Sequence, residues 1–347
     1  MNFFIKIFQV YYIKYSENID TVNWILYPYI RNDKRRIFTV QLPKKIQINE
    51  VGLRDGLQLE SKILSSDQKI KLIDALINAN MKTIEFGSFV HPKLVPQMEN
   101  TKEVYELLAE KKKDVTFIAL IPNLKGAVLA AEAGIQQVNT VFSASNTHNL
   151  QNIRKTTKQS LEDFETIREF CHEKEILLDC TIATTFGCPF EGSISENRIF
   201  SIIEEVIKAG VNVLSLADTT GMANPKQVYD LSSKVLEKWP DQTFNLHFHN
   251  TRGMGLSNVL AGAQAGISRF DASLGGLGGC PFAPEATGNI CTEDTVHMLE
   301  EMGVATELSL DGLLEASALL RSILNHELPG QILKSGKSSR LYPVPAS

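Results

Sequence analysis

Eight short runs rich in β-branched and aromatic residues alternate with longer helical patterns from Lys45 onward, and this alternation limits the fold more than any other feature. The runs are Lys45–Val51, Thr83–Gly87, Val115–Ile121, Gln137–Ser143, Leu177–Thr184, Val211–Ala217, Phe244–His249 and Arg269–Leu274. Most begin roughly 30 residues apart, the length of one strand–helix unit, and such alternation implies a parallel sheet. Eight units in one chain close most simply into a (β/α)8 TIM barrel, with an open doubly wound sheet as the alternative. A further helix over Ser309–Leu324 is expected to pack outside as a C-terminal helical extension. The segments between the strands carry helix-start signals. Ser65 with Gln68 and Ser193 with Glu196 read as capping boxes, and Asn224, Pro225 and Gln227 give a cap with a first-turn proline. Leu161, Phe164, Ile167, Arg168 and Cys171 share helical spacing within Leu161–His172.

The expected organisation is a non-catalytic extension over residues 1–44, a barrel over 45–330 and an irregular tail over 331–347. The 347 residues, 43% hydrophobic and 22% charged, suffice for one large α/β domain with a sizeable core. A net charge of −5 argues against nucleic acid as a partner. No stretch reaches the ~18 apolar residues that span a bilayer, so no membrane association is expected. The aromatic start, Met1–Ile13, is interrupted by Lys6 and lacks a small-residue cleavage site, since the first alanine is Ala75. Arg31, Arg35 and Arg36 suit a mitochondrial leader, whereas Glu17, Asp20 and Asp33 do not. A cytoplasmic location is therefore expected, with the mitochondrial matrix as the alternative. The five cysteines, Cys171, Cys180, Cys188, Cys280 and Cys291, are too few and too irregular for a disulfide scaffold or a zinc ribbon.

In such barrels the active site lies where strands end and βα loops begin. Polar residues gather there: Arg54 and Asp55 after the first strand, Glu85 and Ser88 on the second, Thr184 and Thr185 after the fifth. Asp218 and Thr219 follow the sixth, His247 and His249 end the seventh, and Cys280 and Asn289 lie beyond the eighth. His247 and His249 stand two apart on a strand, so both imidazoles face the same way. Alone, such a pair is more often bonded into a strand end. With Asp55 on the same rim, and the Asn289 carbonyl as a fourth donor, it suits a divalent metal. Arg54 beside Asp55 is either a loop ion pair or a cation aimed at a developing negative oxygen. The glycine-dense run Gly275–Pro281 (GGLGGCP) is either a tight turn with an inert thiol or a mobile loop carrying an acid–base cysteine. The other four cysteines are expected to be packing residues. His91, His148, His172, His297 and His326 are expected at surface or cap positions, His148 being the one placed to line the site.

Arg54–Gln58 (RDGLQ) resembles the first-strand motif of metal-dependent barrel enzymes that make or break bonds beside a carbonyl, the family of isopropylmalate and homocitrate synthases and 3-hydroxy-3-methylglutaryl-CoA (HMG-CoA) lyase. Gly276–Asn289 (GLGGCPFAPEATGN) resembles the signature of the lyase branch, which the synthases lack. Ser88–Gln97 (SFVHPKLVPQ), Pro122–Gly126 (PNLKG) and Gly187–Gly192 (GCPFEG) are similar to the same branch, and the likeness runs from about Lys45 to Leu324.

The resemblance implies a carbon–carbon lyase that splits HMG-CoA into acetyl-CoA and acetoacetate, a step of leucine degradation and ketone-body formation. It implies Mg2+ or Mn2+ held by Asp55, His247, His249 and Asn289. Catalytic roles fall to Arg54 on the enolate, Glu85 behind it, Asp218 on the hydroxyl proton and Cys280 as the acid. Gln58, Ser88 and Thr219 join Arg54 in substrate binding, and a homodimer is expected. A lyase for a related 3-hydroxyacyl-CoA and a Claisen-type synthase are the alternatives. Some positions depart from the lyase pattern: Asn250, Arg252, Leu59, Ser61, Gly87 and Glu285.

Overall fold

The computed structural model describes residues 41–108, 114–279 and 288–343. Eight parallel strands form a closed barrel in sequence order: β1 (Gln47–Glu50), β2 (Thr83–Ser88), β3 (Thr116–Ile121), β4 (Gln137–Ser143), β5 (Leu177–Ala183), β6 (Val213–Asp218), β7 (Thr243–Phe248) and β8 (Arg269–Ala272). β1 closes onto β8 with Gln47 opposite Arg269 and Glu50 opposite Ala272, which rules out the open sheet.

Alternation along the strands decides which residues face the lumen. Ile48, Ile84, Phe86, Leu214, Leu216, Leu246, Phe248 and Phe270 are buried against the surrounding helices. Most of their neighbours point inward and are polar, with Val213 and Ala217 as apolar exceptions on β6. Gln47 donates to Thr83 (2.9 Å), Asn49 to Asn245 (3.2 Å), Asn245 to Ser215 (2.9 Å), and Gln137 to Asp179 (2.6 Å). Barrel lumens are commonly filled by branched apolar side chains. Here these amides bond across the lumen or to an adjacent strand, Asn49 also reaching Asp271 of β8 (3.0 Å), which offsets the cost of burying them.

The helices begin where local chemistry dictates. Ser65 and Gln68 form a capping box ahead of Ser66–Asn78, and Asn224 caps Pro225–Lys238. The helix Thr157–Glu173 buries Phe164, Ile167 and Cys171, and starts from a capping box of Thr156 and Gln159 that lies ahead of the expected segment. The Ser193–Glu196 box does not form. The helix starts at Glu196, and Ser195, in extended conformation, accepts from the Arg198 N–H. Glu196 therefore lies in the first turn, where its charge complements the exposed N–H groups instead of reaching back to a cap.

β1 and β8 are shorter than the sequence suggests. Lys45 pairs singly with Ala305, and Gly52–Gly56 coil into one π-type helical turn directly after β1. Leu310–Leu324, capped by Ser309, lies outside the barrel with Leu313, Ala316 and Leu320 buried. One helical turn, Ile332–Ser335, interrupts the segment expected to be irregular. Among the described residues no helix is long and apolar enough to cross a membrane.

Candidate active site

The turn after β1 is built on one carbonyl: the amides of Arg54, Asp55 and Gly56 all donate to Val51 O, at 3.1, 2.8 and 3.3 Å. It leaves Arg54 and Asp55 buried at the mouth of the barrel. A Cβ on Gly52 would lie 2.5 Å from the Glu50 carboxylate, so the turn closes this tightly only with glycine at its first position.

Asp55 meets the two histidines of β7. The ligand atoms of Asp55, His247 and His249 lie within 4.8 Å of one another, and all three residues are buried. The two Nε2 atoms are 3.2 Å apart, and Asp55 Oδ2 is 3.9 Å from that of His247 and 4.0 Å from that of His249. A point equidistant from these three atoms lies about 2.2 Å from each, close to the ~2.0–2.1 Å bonds that Mg2+ makes to oxygen. Asn289 pairs antiparallel with His249, which brings its side chain to the same place. Its Nδ2 donates to Asp55 Oδ2 (2.7 Å) and Leu277 O (3.0 Å), while its Oδ1 is buried with no hydrogen-bond partner among the described residues. A buried carbonyl left unsatisfied is costly, and a cation would satisfy it. These residues fit a divalent ion with oxygen and nitrogen donors.

Arg54 forms the second half of the site. Its Nε and Nη2 lie 2.7 and 2.6 Å from Glu85 Oε2, and its Nη1 donates to Asp55 Oδ1 at 2.5 Å. Glu85 is held in turn by Asn139 (3.2 Å), which accepts from Thr181 (3.1 Å). The guanidinium plane is therefore fixed, with two N–H groups left to face a ligand. Burial pushes the Asp55 carboxyl upward, but Arg54, His247, His249 and the Asn289 hydrogen bond outweigh it and bring the pKa to about 2. Asp55 is thus an anion throughout the neutral range. Gln58 donates to Asp55 Oδ1 at 2.8 Å, so its amide braces the carboxylate.

Asp218 ends β6 beside Phe248 of β7. Its Oδ1 accepts from the Met222 and Ala223 amides (2.7 and 3.1 Å), and its Oδ2 is buried without a partner among the described residues. Burial raises its pKa to about 6 despite those two bonds. Ser88 is buried at the end of β2. The Thr219 hydroxyl accepts from the Thr184 amide (3.1 Å), and the Thr184 hydroxyl from the Ser145 amide (3.1 Å), lacing the ends of β4, β5 and β6 together. Thr184 holds this place at φ +57°, a left-handed conformation that is rare for threonine. Cys280 and Glu285 lie outside the described residues.

Other positions resolve as follows. His148 is buried, with Nδ1 2.6 Å from Ser143 Oγ, whereas His91, His172 and His326 are exposed. Cys171, Cys180, Cys188 and Cys291 are buried free thiols. Gly87 leaves room for Thr101, whose Oγ1 would lie 2.5 Å from an added Cβ. Asn250 accepts from the Gly255 amide (3.0 Å), and Arg252 donates to Thr220 O and Gly221 O (3.0 and 2.8 Å), closing the loop that holds Asp218.

Sequence reading missed Asp271. It stands opposite His247 on β8, and its Oδ2 lies 3.1 Å from His247 Nδ1. That bond takes up the Nδ1 proton and leaves Nε2 free as a donor toward the cluster. The only signal was an acid at an inward position of β8, readable once the register is known.

The model of the family described as HMGL-like matches residues 45–320. The chain is 40% identical over 307 residues to the (R)-citramalyl-CoA lyase of Chloroflexus aurantiacus, covering 86% of this chain and 96% of that one. It is 39% identical over 297 residues to the hydroxymethylglutaryl-CoA lyase YngG of Bacillus subtilis, covering 86% and 99%. An HMG-CoA lyase from Acinetobacter baumannii, solved with coenzyme A and 3-methylmalate, superposes with a TM-score of 0.83 at 50% identity, covering 87% of this chain and 98% of that one.

Proposed function

Since the chain belongs to the HMGL-like family and is an acyl-CoA carbon–carbon lyase of the HMG-CoA lyase type, we propose that its substrate is HMG-CoA, split into acetyl-CoA and acetoacetate. The observation that carries this is the joining of Asp55, His247, His249 and Asn289 to Arg54 in one buried network at the barrel mouth.

Asp55, His247, His249 and Asn289 would hold Mg2+ or Mn2+, which when bound polarises the substrate's oxygens and lowers the cost of charge on them. Asp218 takes the proton of the C3 hydroxyl. Its partnerless Oδ2 is the acceptor, and a pKa of about 6 leaves it ionised at neutral pH yet basic enough for the transfer. The C2–C3 bond then breaks: the C3 oxygen becomes the ketone of acetoacetate, and the electron pair passes to the acetyl-CoA enolate. Arg54, kept rigid by Glu85 and Asp55, offers its remaining N–H groups to the oxygen where that charge collects. Cys280 delivers the proton that converts the enolate to acetyl-CoA. Ser88 and Thr219 border the acyl group, and Gln58 acts through Asp55.

The Chloroflexus relative supports a second reading, cleavage of citramalyl-CoA, which differs in the group on C3. Steady-state kcat/KM for HMG-CoA, citramalyl-CoA and longer 3-hydroxyacyl-CoA thioesters decides between them. HMG-CoA is expected to lead the panel, and a tenfold or larger preference for another thioester would replace it as the substrate.

A further inference from the structure

Glu50 is a carboxylate in an unexpected place. It is the last residue of β1, on the outward face where its register partners are Ile84 and Ala272, and it is fully buried. Among the described residues no cation is bonded to it. Instead it accepts from three donors on separate segments: the Gly52 amide at 2.7 Å, the Leu274 amide at 2.8 Å and the Thr292 hydroxyl at 2.7 Å. Gly52 opens the turn that carries Arg54 and Asp55, Leu274 follows β8, and Thr292 lies three residues past Asn289. The segment from Asn289 to Thr292 is itself fixed by Ile290 N to Phe248 O (3.1 Å) and Thr292 N to Ser273 O (3.0 Å). Asn289 then returns to Asp55 at 2.7 Å, which closes a ring of hydrogen bonds and covalent chain: Asp55 turn, Glu50, Thr292, along the backbone to Asn289, and Asp55.

We propose that Glu50 is a positioning residue that sets the distance between the Asp55 and Asn289 halves of the metal site by gripping the backbone of one and the foot of the other. The inference rests on the metal-binding role proposed above for those two residues. Burial pushes the Glu50 carboxyl up to about 7, against its three hydrogen bonds and with the neighbouring Glu293 adding to the rise. An ionisable group kept where its charge is disfavoured is expected to be holding geometry that an apolar residue cannot hold. Glu293 works alongside it, accepting from the Gly275 amide (3.0 Å) and from Ser317 of the outer helix.

The test is Mn2+ binding to the full-length, metal-stripped protein, read as free Mn2+ by electron paramagnetic resonance, with a thermal melt on each variant. Losing a group that orients metal ligands costs about 10- to 100-fold in affinity. Glu50→Ala is expected to weaken Mn2+ binding by about that factor. Thr292→Val, which cuts only the tie toward Asn289, is expected to weaken it by about fivefold to tenfold and decides the matter should Glu50→Ala not fold. Glu50→Gln keeps an oxygen toward Gly52 and Leu274 and can donate to Thr292, so it should stay within about threefold of wild type. Folded Glu50→Ala or Thr292→Val protein with wild-type affinity and only a lowered Tm would overturn the proposal. So would a loss in Glu50→Gln as large as in Glu50→Ala, because charge and not geometry would then be responsible. A wild-type protein that binds no Mn2+ would remove the metal-site reading itself, a result separate from either of these.

Discussion

Replacing Asp271 by asparagine should disable a metal ligand without touching it. Asp271 Oδ2 faces His247 Nδ1 at 3.1 Å, and Oδ1 accepts from Asn49 Nδ2 at 3.0 Å. The polarity of the Asn49 amide is fixed from both sides, since its Oδ1 accepts from Gln47 at 3.0 Å and its Nδ2 also donates to Asn245 at 3.2 Å. An asparagine at 271 would therefore keep its carbonyl toward Asn49 and turn its NH2 toward His247 Nδ1. The imidazole must then accept at Nδ1 and carry its proton on Nε2, the atom 3.9 Å from Asp55 Oδ2. That proton has to be lost or moved before Nε2 can bind a cation. Forcing a buried pair into the wrong donor–acceptor arrangement costs about 1–3 kcal/mol. At 1.4 kcal/mol per tenfold, Mn2+ affinity should fall by about 5- to 150-fold. Isothermal titration of metal-stripped protein with Mn2+ measures it, and circular dichroism checks that the barrel remains. An unchanged Kd in folded protein would refute the tautomer argument and leave Asp271 as lumen filling.

Asp218 sets a second expectation. With its carboxyl raised to about 6 by burial, the base form is lost as pH falls through that value, so kcat/KM should drop on an acid limb near pH 6. Asp218→Asn should abolish most turnover, and a wild-type profile flat to pH 5 would take Asp218 out of the proton transfer. Asp55 acts in the opposite direction on stability: its folded pKa of about 2 lies below the ordinary carboxylate value. The stability it contributes is present above ~4 and is lost as pH falls from there toward 2, which acid titration of Asp55→Asn against wild type would show as a smaller loss in the variant. Gly278→Ala places a Cβ 2.5 Å from Asn289 Nδ2 at a φ of +112°, so it should cost about 1–3 kcal/mol in urea unfolding and weaken Mn2+ binding as well. Equal stability and affinity would show that the segment shifts freely. Cys280→Ser should lower kcat by at least about 100-fold with the melt unchanged, and near-normal turnover would remove the thiol from the mechanism.

The barrel was legible because its strands alternate so plainly. In β1 the order Gln47, Ile48, Asn49 already separates a lumen face from a helix-packing face, and β2 repeats it with Thr83, Ile84, Glu85 and Phe86. The rim residues were legible because strand ends are where the chain can afford polar groups: Arg54, Asp55 and His247 stand at or just beyond such ends, whereas Asn289 lies well past β8 and returns by pairing with His249. What stayed hidden depends on register. Asp271 is one acid in a short strand until β8 is set beside β7, and then it faces His247. Glu50 sits inside an expected strand, and nothing local marks it as the meeting point of segments more than 200 residues apart. The misplaced cap has a simpler cause: Ser193 and Ser195 both precede polar residues at helix-start spacing, and the backbone turns at the later one.

The central claim is metal-dependent cleavage of the C2–C3 bond, and product stoichiometry tests it most directly. Protein stripped with chelator, then given Mg2+ or Mn2+ with HMG-CoA and a thiol reductant, should form acetyl-CoA and acetoacetate in a one-to-one ratio, with turnover lost again on adding chelator. Cleavage at an equal rate in stripped protein would contradict the role given to Asp55, His247, His249 and Asn289. Folded, metal-loaded protein that leaves HMG-CoA and every related 3-hydroxyacyl-CoA intact would contradict the lyase account as a whole.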